Sequence, residues 1–163
     1  MNFFQESVFL SEIIFQVEIA EFAETQLRNE NASNNRIALW SAIQLILISS
    51  ANVSKILWPS WKANKDRGFH KRTLLNIQDD NILKERKFRD HFEHYDERVE
   101  EWTKNKNGFT DLAMNPSLYI FGHENTSRGY NSFNNTLIFQ GEILDLNAIL
   151  YELRSIKKKC LHS

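Results

Sequence analysis

The chain has 163 residues, 42% hydrophobic and 25% charged, a size and balance that support one hydrophobic core without disulfide or metal staples. Five glycines and two prolines exclude collagen, a flexible linker and a many-turned β-sandwich. Twenty basic against 21 acidic side chains give a net charge of −1, which excludes a long polybasic nucleic-acid binder but leaves room for local basic patches. Cys160 is the one cysteine and has no partner for an internal disulfide, which fits a reducing compartment and a cytoplasmic protein.

The first element is an amphipathic helix over about residues 5–30, where Val8, Phe9, Ile13, Val17, Ala20 and Phe22 recur near a 3.6-residue period. The opening stretch, Met1 to Phe15, carries Glu6 and Glu12 without a basic start and does not read as a signal peptide. An Asn-rich turn, Asn29 to Asn35, leads into a second helix that runs to Leu57 and stops at Trp58-Pro59. Its eighteen uncharged residues, Ile37 to Ser54, approach the length of a membrane span. Ser41, Gln44, Ser49, Ser50, Asn52 and Ser54 would be poorly satisfied in lipid. A central helix surrounded by others, with no membrane, is the expectation.

A basic connection follows from Ser60 to Arg72, then a short third helix near His70 to Ile77. Asp79 and Asp80 suit the N-terminus of a long fourth helix reaching about Lys104. Its inward seam is Phe88, Phe92, Tyr95, Val99 and Trp102, spaced four, three, four and three apart. Beyond Asn107-Gly108, Tyr119–Phe121 and Leu137–Phe139 read as strands. Asn134-Asn135 reads as the turn between a Tyr130–Phe133 strand and the latter. Asp145 caps a last helix with Leu146, Ile149, Leu150, Leu153 and Ile156 on one face and Lys157 to Lys159 at its end. The predicted fold is mainly α: a four-helix up-and-down bundle over residues 1–107, with a β-hairpin and final helix, 108–163, packed on the same domain.

Functional groups concentrate in Lys87 to Arg98. Within it, Arg89-Asp90-His91-Phe92-Glu93-His94 resembles the signature of the HEPN superfamily, an arginine, a polar residue, three variable positions and a histidine on a late bundle helix. The uncharged second helix ending in Lys55-Ile56-Leu57-Trp58-Pro59 is compatible with that bundle order. The resemblance covers about residues 5–105. It implies a metal-independent endoribonuclease needing no cofactor, or an RNA-binding relative without catalysis, often a homodimer and of the kind used in bacterial toxin or defence systems, where a partner protein or antitoxin can act. Carried over, Arg89 would hold the scissile phosphate, His94 would be the general acid or base while the RNA 2′-OH attacks, and Asp90 would orient His94.

Helix geometry adds a constraint. At about 100° per residue, Arg89 and His94 project roughly 140° apart on one helix. Either the helix is distorted or the site is composite, with Arg89 of one protomer facing His94 of another across a two-fold axis, and the composite dimer is the expectation. The competing reading is a solvated ladder, since Arg86, Asp90, His94 and Arg98 alternate in sign at i, i+4 spacing.

Metal chemistry is the other rival, with His91, His94, Asp96 and Glu97 close in sequence. Neither histidine has a glutamate three residues before it, and the paired Glu-x-x-His of di-iron bundles is missing. Walker, GxGxxG, CxxC and GxSxG motifs are also absent. His91, beside the seam, reads as a packing residue, and Cys160 as inert.

Phosphate would be held by Lys62, Lys65, Arg67, Lys71 and Arg72 in the basic connection, with Trp58, Trp61 and Phe69 available for stacking. Arg154 to Lys159 is a second basic run, and ordinary solubility accounts for either run alone. Residues 79–101 oppose RNA, with nine acids against five bases. Two functions remain: the endoribonuclease, and a non-catalytic helical module that dimerises or binds a partner.

Overall fold

A computed structural model describes residues 3–33, 35–85, 96–97, 100, 104, 110–113, 126–139 and 142–163. Helix α1 spans Phe3–Ser33 and α2 spans Arg36–Leu57. Ile13, Val17, Ala20, Ala23 and Leu27, all buried, fall three or four apart and give α1 one inward face. The α1–α2 connection is shorter than the Asn-rich run suggests, because the helix continues through Ser33. Asn35 then starts α2, its side-chain oxygen accepting the Ala38 amide at 3.1 Å. Gln16 and Asn52 hydrogen-bond between the two helices at 3.1 Å and fix their antiparallel register.

By length and mean hydropathy, 1.5, α2 could cross a membrane, yet 56% of that window is buried inside the protein. Leu39, Ile43, Ile46, Leu47, Val53 and Leu57 supply its buried face. The helix ends at Trp58, whose amide still bonds back to Ser54, because Pro59 cannot donate the next bond.

After a 3-10 turn at Lys62–Asn64 comes α3, Lys65–Leu74. It starts five residues before the predicted position, since the first turn is polar and gives no apolar signal. The predicted helix start at Asp79-Asp80 is not there. Those residues form a turn, followed by a 3-10 turn over Ile82–Lys84 and an extended Glu85. Asp79 is occupied by side chains, as set out below. The seam Phe88, Phe92, Tyr95, Val99 and Trp102 lies outside the described residues, as does Tyr119–Phe121; Asp96, Glu97, Glu100 and Lys104 are helical and exposed.

Where the sequence predicts a hairpin, the structure has a sheet in the order β1 (Thr110–Ala113), β2 (Thr126–Asn131), β3 (Thr136–Phe139), β4 (Glu142–Asp145). The β2–β3 and β3–β4 pairs are antiparallel and β1 is parallel to β2. The turn between β2 and β3 uses Asn135 at φ 57°, the left-handed region that asparagine tolerates. Tyr130 donates to the Asn135 side chain at 2.8 Å, and Asn135 donates on to Asn147 at 2.8 Å. That chain of bonds ties the turn to the last helix, α4, Leu146–Leu161.

Asp145 caps α4, its side chain accepting from the amides of Asn147 at 2.8 Å and Ala148 at 3.3 Å. Leu146, Ile149, Leu150, Leu153 and Ile156 face inward and join the α1 and α2 side chains in one core. The fold among the described residues is therefore mainly helical, four α-helices with a small sheet.

Candidate nucleic-acid interface

Arg89, Asp90 and His94 lie outside the described residues, as do His91 and the histidine half of the metal reading. Among the described residues, no group of three metal-ligating side chains comes together. The basic connection, by contrast, is fully described, and its local fold places each cation.

Close approach of α3 to the end of α2 depends on Gly68. A Cβ there would sit 2.4 Å from Pro59 Cδ and 2.7 Å from the Leu57 carbonyl oxygen. With that contact made, Arg72 donates to the Leu57 carbonyl at 2.5 Å, satisfying a helix-end acceptor. The guanidinium also lies 5.6 Å from the Trp58 ring centroid and 6.0 Å from that of Phe69.

Asp79 anchors the far side. It accepts from the Trp58 indole at 3.2 Å and pairs with Arg72 at 3.1 Å and Lys84 at 3.8 Å. The Trp58 hydrogen bond, helped by the Arg72 and Lys84 charges, outweighs desolvation and holds the Asp79 carboxyl below its ordinary value. Between these groups opens a pocket of about 520 Å³ lined by Trp58, Pro59, Lys65, Asp66, Phe69, Arg72 and Lys84. Its wall holds three cations, one acid and two aromatic rings. Phe69 is 64% exposed, and Trp61, ahead of the 3-10 turn and outside the pocket lining, is 75% exposed. Lys62 and Lys65 are exposed and make no ion pair among the described residues.

Two of the five predicted phosphate-binding residues point elsewhere. Lys71 is fully buried, its Nζ 3.6 Å from a Glu6 carboxylate oxygen and 3.5 Å from the Glu6 carbonyl. Arg67 stacks on Phe9 at 4.7 Å, with its Nε buried and without a hydrogen-bond partner. Both hold α3 against the first turns of α1, and a buried lysine offers no surface to a phosphate backbone. The helical period explains the split: 67 and 71 are one turn apart on the inward face of α3, while 65, 69 and 72 fall on the flank toward Trp58.

Lys84 is the residue that the sequence reading missed. The Asp79-Asp80 pair gave the local signal for a helix start and masked it; a lysine five residues after an aspartate signals nothing about a pocket.

The second basic run is used inside the protein. Arg154 pairs with Glu24 and, at 3.5 Å, with Glu21. Lys157 reaches Glu21 at 2.9 Å and Glu18 at 3.3 Å, and the Glu21 hydrogen bond leads the effects that raise its pKa. Lys159 donates to the Asn76 carbonyl at 2.8 Å. This run docks α4 on the acids of α1 instead of offering a patch. Burial pushes the Cys160 thiol up to about 11, so it stays protonated and unreactive near neutral pH. No family model, curated protein or solved structure matches the chain.

Proposed function

We propose that the chain is an RNA-binding protein and an HEPN-like, metal-independent endoribonuclease. The single observation that carries the binding part is the pocket in which Trp58 and Phe69 stand beside Lys65, Arg72 and Lys84. Cations beside the exposed Phe69 ring match a single-stranded nucleic acid, whose phosphates meet the charges while a base stacks on that ring; Trp58, 5% exposed, holds Asp79 instead. The catalytic part rests on the Arg89-Asp90-x3-His94 pattern. In this reading residues beyond Glu85 complete a four-helix up-and-down bundle. Arg89 of one protomer binds the scissile phosphate, His94 of its partner acts as general acid or base while the RNA 2′-OH attacks phosphorus and the 5′-oxygen leaves, Asp90 orients the imidazole, and no metal or cofactor takes part. The protein acts in the cytoplasm in a toxin or defence setting, with a protein partner able to restrain it.

A non-catalytic RNA-binding module of the same fold is the second reading, because the pocket stands on residues independent of Arg89 and His94. Fluorescence anisotropy of a labelled single-stranded RNA tests the binding part. Phe69→Ala should weaken binding by about 1–3 kcal/mol, the loss of one stacked base. Lys65→Glu with Lys84→Glu should flatten its salt dependence. Equal affinity in wild type and both variants would remove the pocket from the reading.

A further inference from the structure

The α1–α2 hairpin carries an apolar face that the other described residues leave exposed. On α1, Val8, Phe15 and Phe22 are 50%, 56% and 61% exposed. They follow one another at seven-residue intervals, which keeps them on one stripe. On α2, Ile37, Leu45 and Ile48 are 80%, 39% and 53% exposed, and Ser41 and Gln44 between them are exposed but uncharged.

The two stripes share a side. At about 100° per residue, the α1 stripe lies far round the helix from Glu21 and Glu24, which meet α4. The α2 stripe lies on average about 105° round the helix from Leu47, Ala51 and Ser54, which line a cavity with Ile149 of α4. Height agrees as well. Starting from the Gln16–Asn52 bond, Phe22 is about 9 Å along α1, and Ile48 and Leu45 are about 6–10 Å along α2 in the same direction.

We infer that this face is where two copies of the chain associate, α1 and α2 of one protomer packing on α1 and α2 of the other. Three observations select a second copy as the occupant. The α2 half of the face has no charge between Arg36 and Lys55, so a two-fold axis through it brings no like charges together. The nearest α1 acids are held aside, Glu12 by Gln16 and Glu18 by Lys157. The exposed apolar area, on the order of 500 Å², is most of the roughly 800 Å² that each partner buries in a stable dimer. Spacings of four and three residues along α2 and of seven along α1 suit helix-against-helix packing.

The inference deepens the dimer of the proposed function by naming its face, and it rests on that reading only for the consequence that the dimer assembles a catalytic site. Sedimentation velocity of the purified full chain tests it, alongside Phe15→Lys/Phe22→Lys, Ile48→Lys and a control, Phe133→Lys, at an 86% exposed turn residue off this face. Wild type and control should sediment as a dimer of the 19.2 kDa chain. The two face variants should sediment as monomers at the same micromolar concentration, with unchanged helical circular dichroism because the replaced side chains are more than half exposed. A dimer that persists in both face variants overturns this face while leaving a dimeric enzyme possible. A monomeric wild type, or one that instead co-sediments with neutral phosphatidylcholine vesicles through these residues, overturns the inference outright.

Discussion

Lys71 shows how one side chain changes role between sequence and structure. A lysine in a basic run is ordinarily a surface group, yet here it has no exposed surface and faces Glu6, whose side chain is 24% exposed. Taking the ammonium out of water is costly, and the nearby carboxylate and the Phe9 ring 5.7 Å away offset part of that cost. Glu6→Ala should therefore destabilise the fold by about 2–3 kcal/mol in urea denaturation, because it strands the buried charge. Lys71→Met, which removes charge and need together, should cost less than Glu6→Ala. The reverse order would mean that the pair does not govern this contact.

Asp79 makes a second residue-scale prediction. Its carboxyl titrates below the ordinary 3.8 in the folded protein. The stabilisation from Trp58, Arg72 and Lys84 is then fully present above the unfolded carboxyl value and is lost as pH falls through the depressed one. Trp58 fluorescence should change over that acid range and stay flat above it, and Asp79→Asn should abolish the change. An unchanged titration in Asp79→Asn would contradict the assignment.

At the scale of elements, the pocket exists because α3 presses its Gly68 turn onto the last turn of α2. Gly68→Ala should force these apart and destabilise the protein by about 1–3 kcal/mol, while RNA affinity falls as Phe69 and Lys65 shift relative to Trp58. A stable variant with full affinity would show that the contact does not set the pocket.

Legibility in the sequence followed the strength of local signals. α2 was readable because Trp58-Pro59 ends it and an apolar run fills it, and α4 because Asp145 caps an inward face that recurs at helical spacing. β4 was not. Its sequence, Glu142-Ile143-Leu144-Asp145, has no polar–apolar alternation, although burial alternates along the strand once it pairs with β3. Asp79 misled for the same reason: helix capping is a local rule, and its partners Trp58 and Arg72 are reached only through tertiary packing.

For the molecule as a whole, charge placement separates structure from surface. The α1 acids Glu18, Glu21 and Glu24 are matched by Arg154 and Lys157 of α4, and Arg67 and Lys71 are spent on α1. In the basic connection Lys62 and Lys65 stay exposed without an ion pair among the described residues, while Arg72 and Lys84 share the Asp79 carboxylate beside the Trp58 and Phe69 rings. The candidate site was legible in the sequence only as two separate signals, a basic-aromatic connection and the Arg89–His94 pattern. The contacts of Asp79 with Trp58, Arg72 and Lys84 order the first of these, which no local spacing encodes, and the second lies outside the described residues.

The measurement that tests the central claim most directly is RNA cleavage by the purified chain in excess EDTA, with Arg89→Ala and His94→Ala run alongside. The account predicts products ending in 2′,3′-cyclic phosphate, and a loss of at least roughly a hundredfold in rate in each variant with helical content intact. Cleavage by His94→Ala at the wild-type rate, or none by the wild type on any single-stranded RNA that it binds, would contradict it.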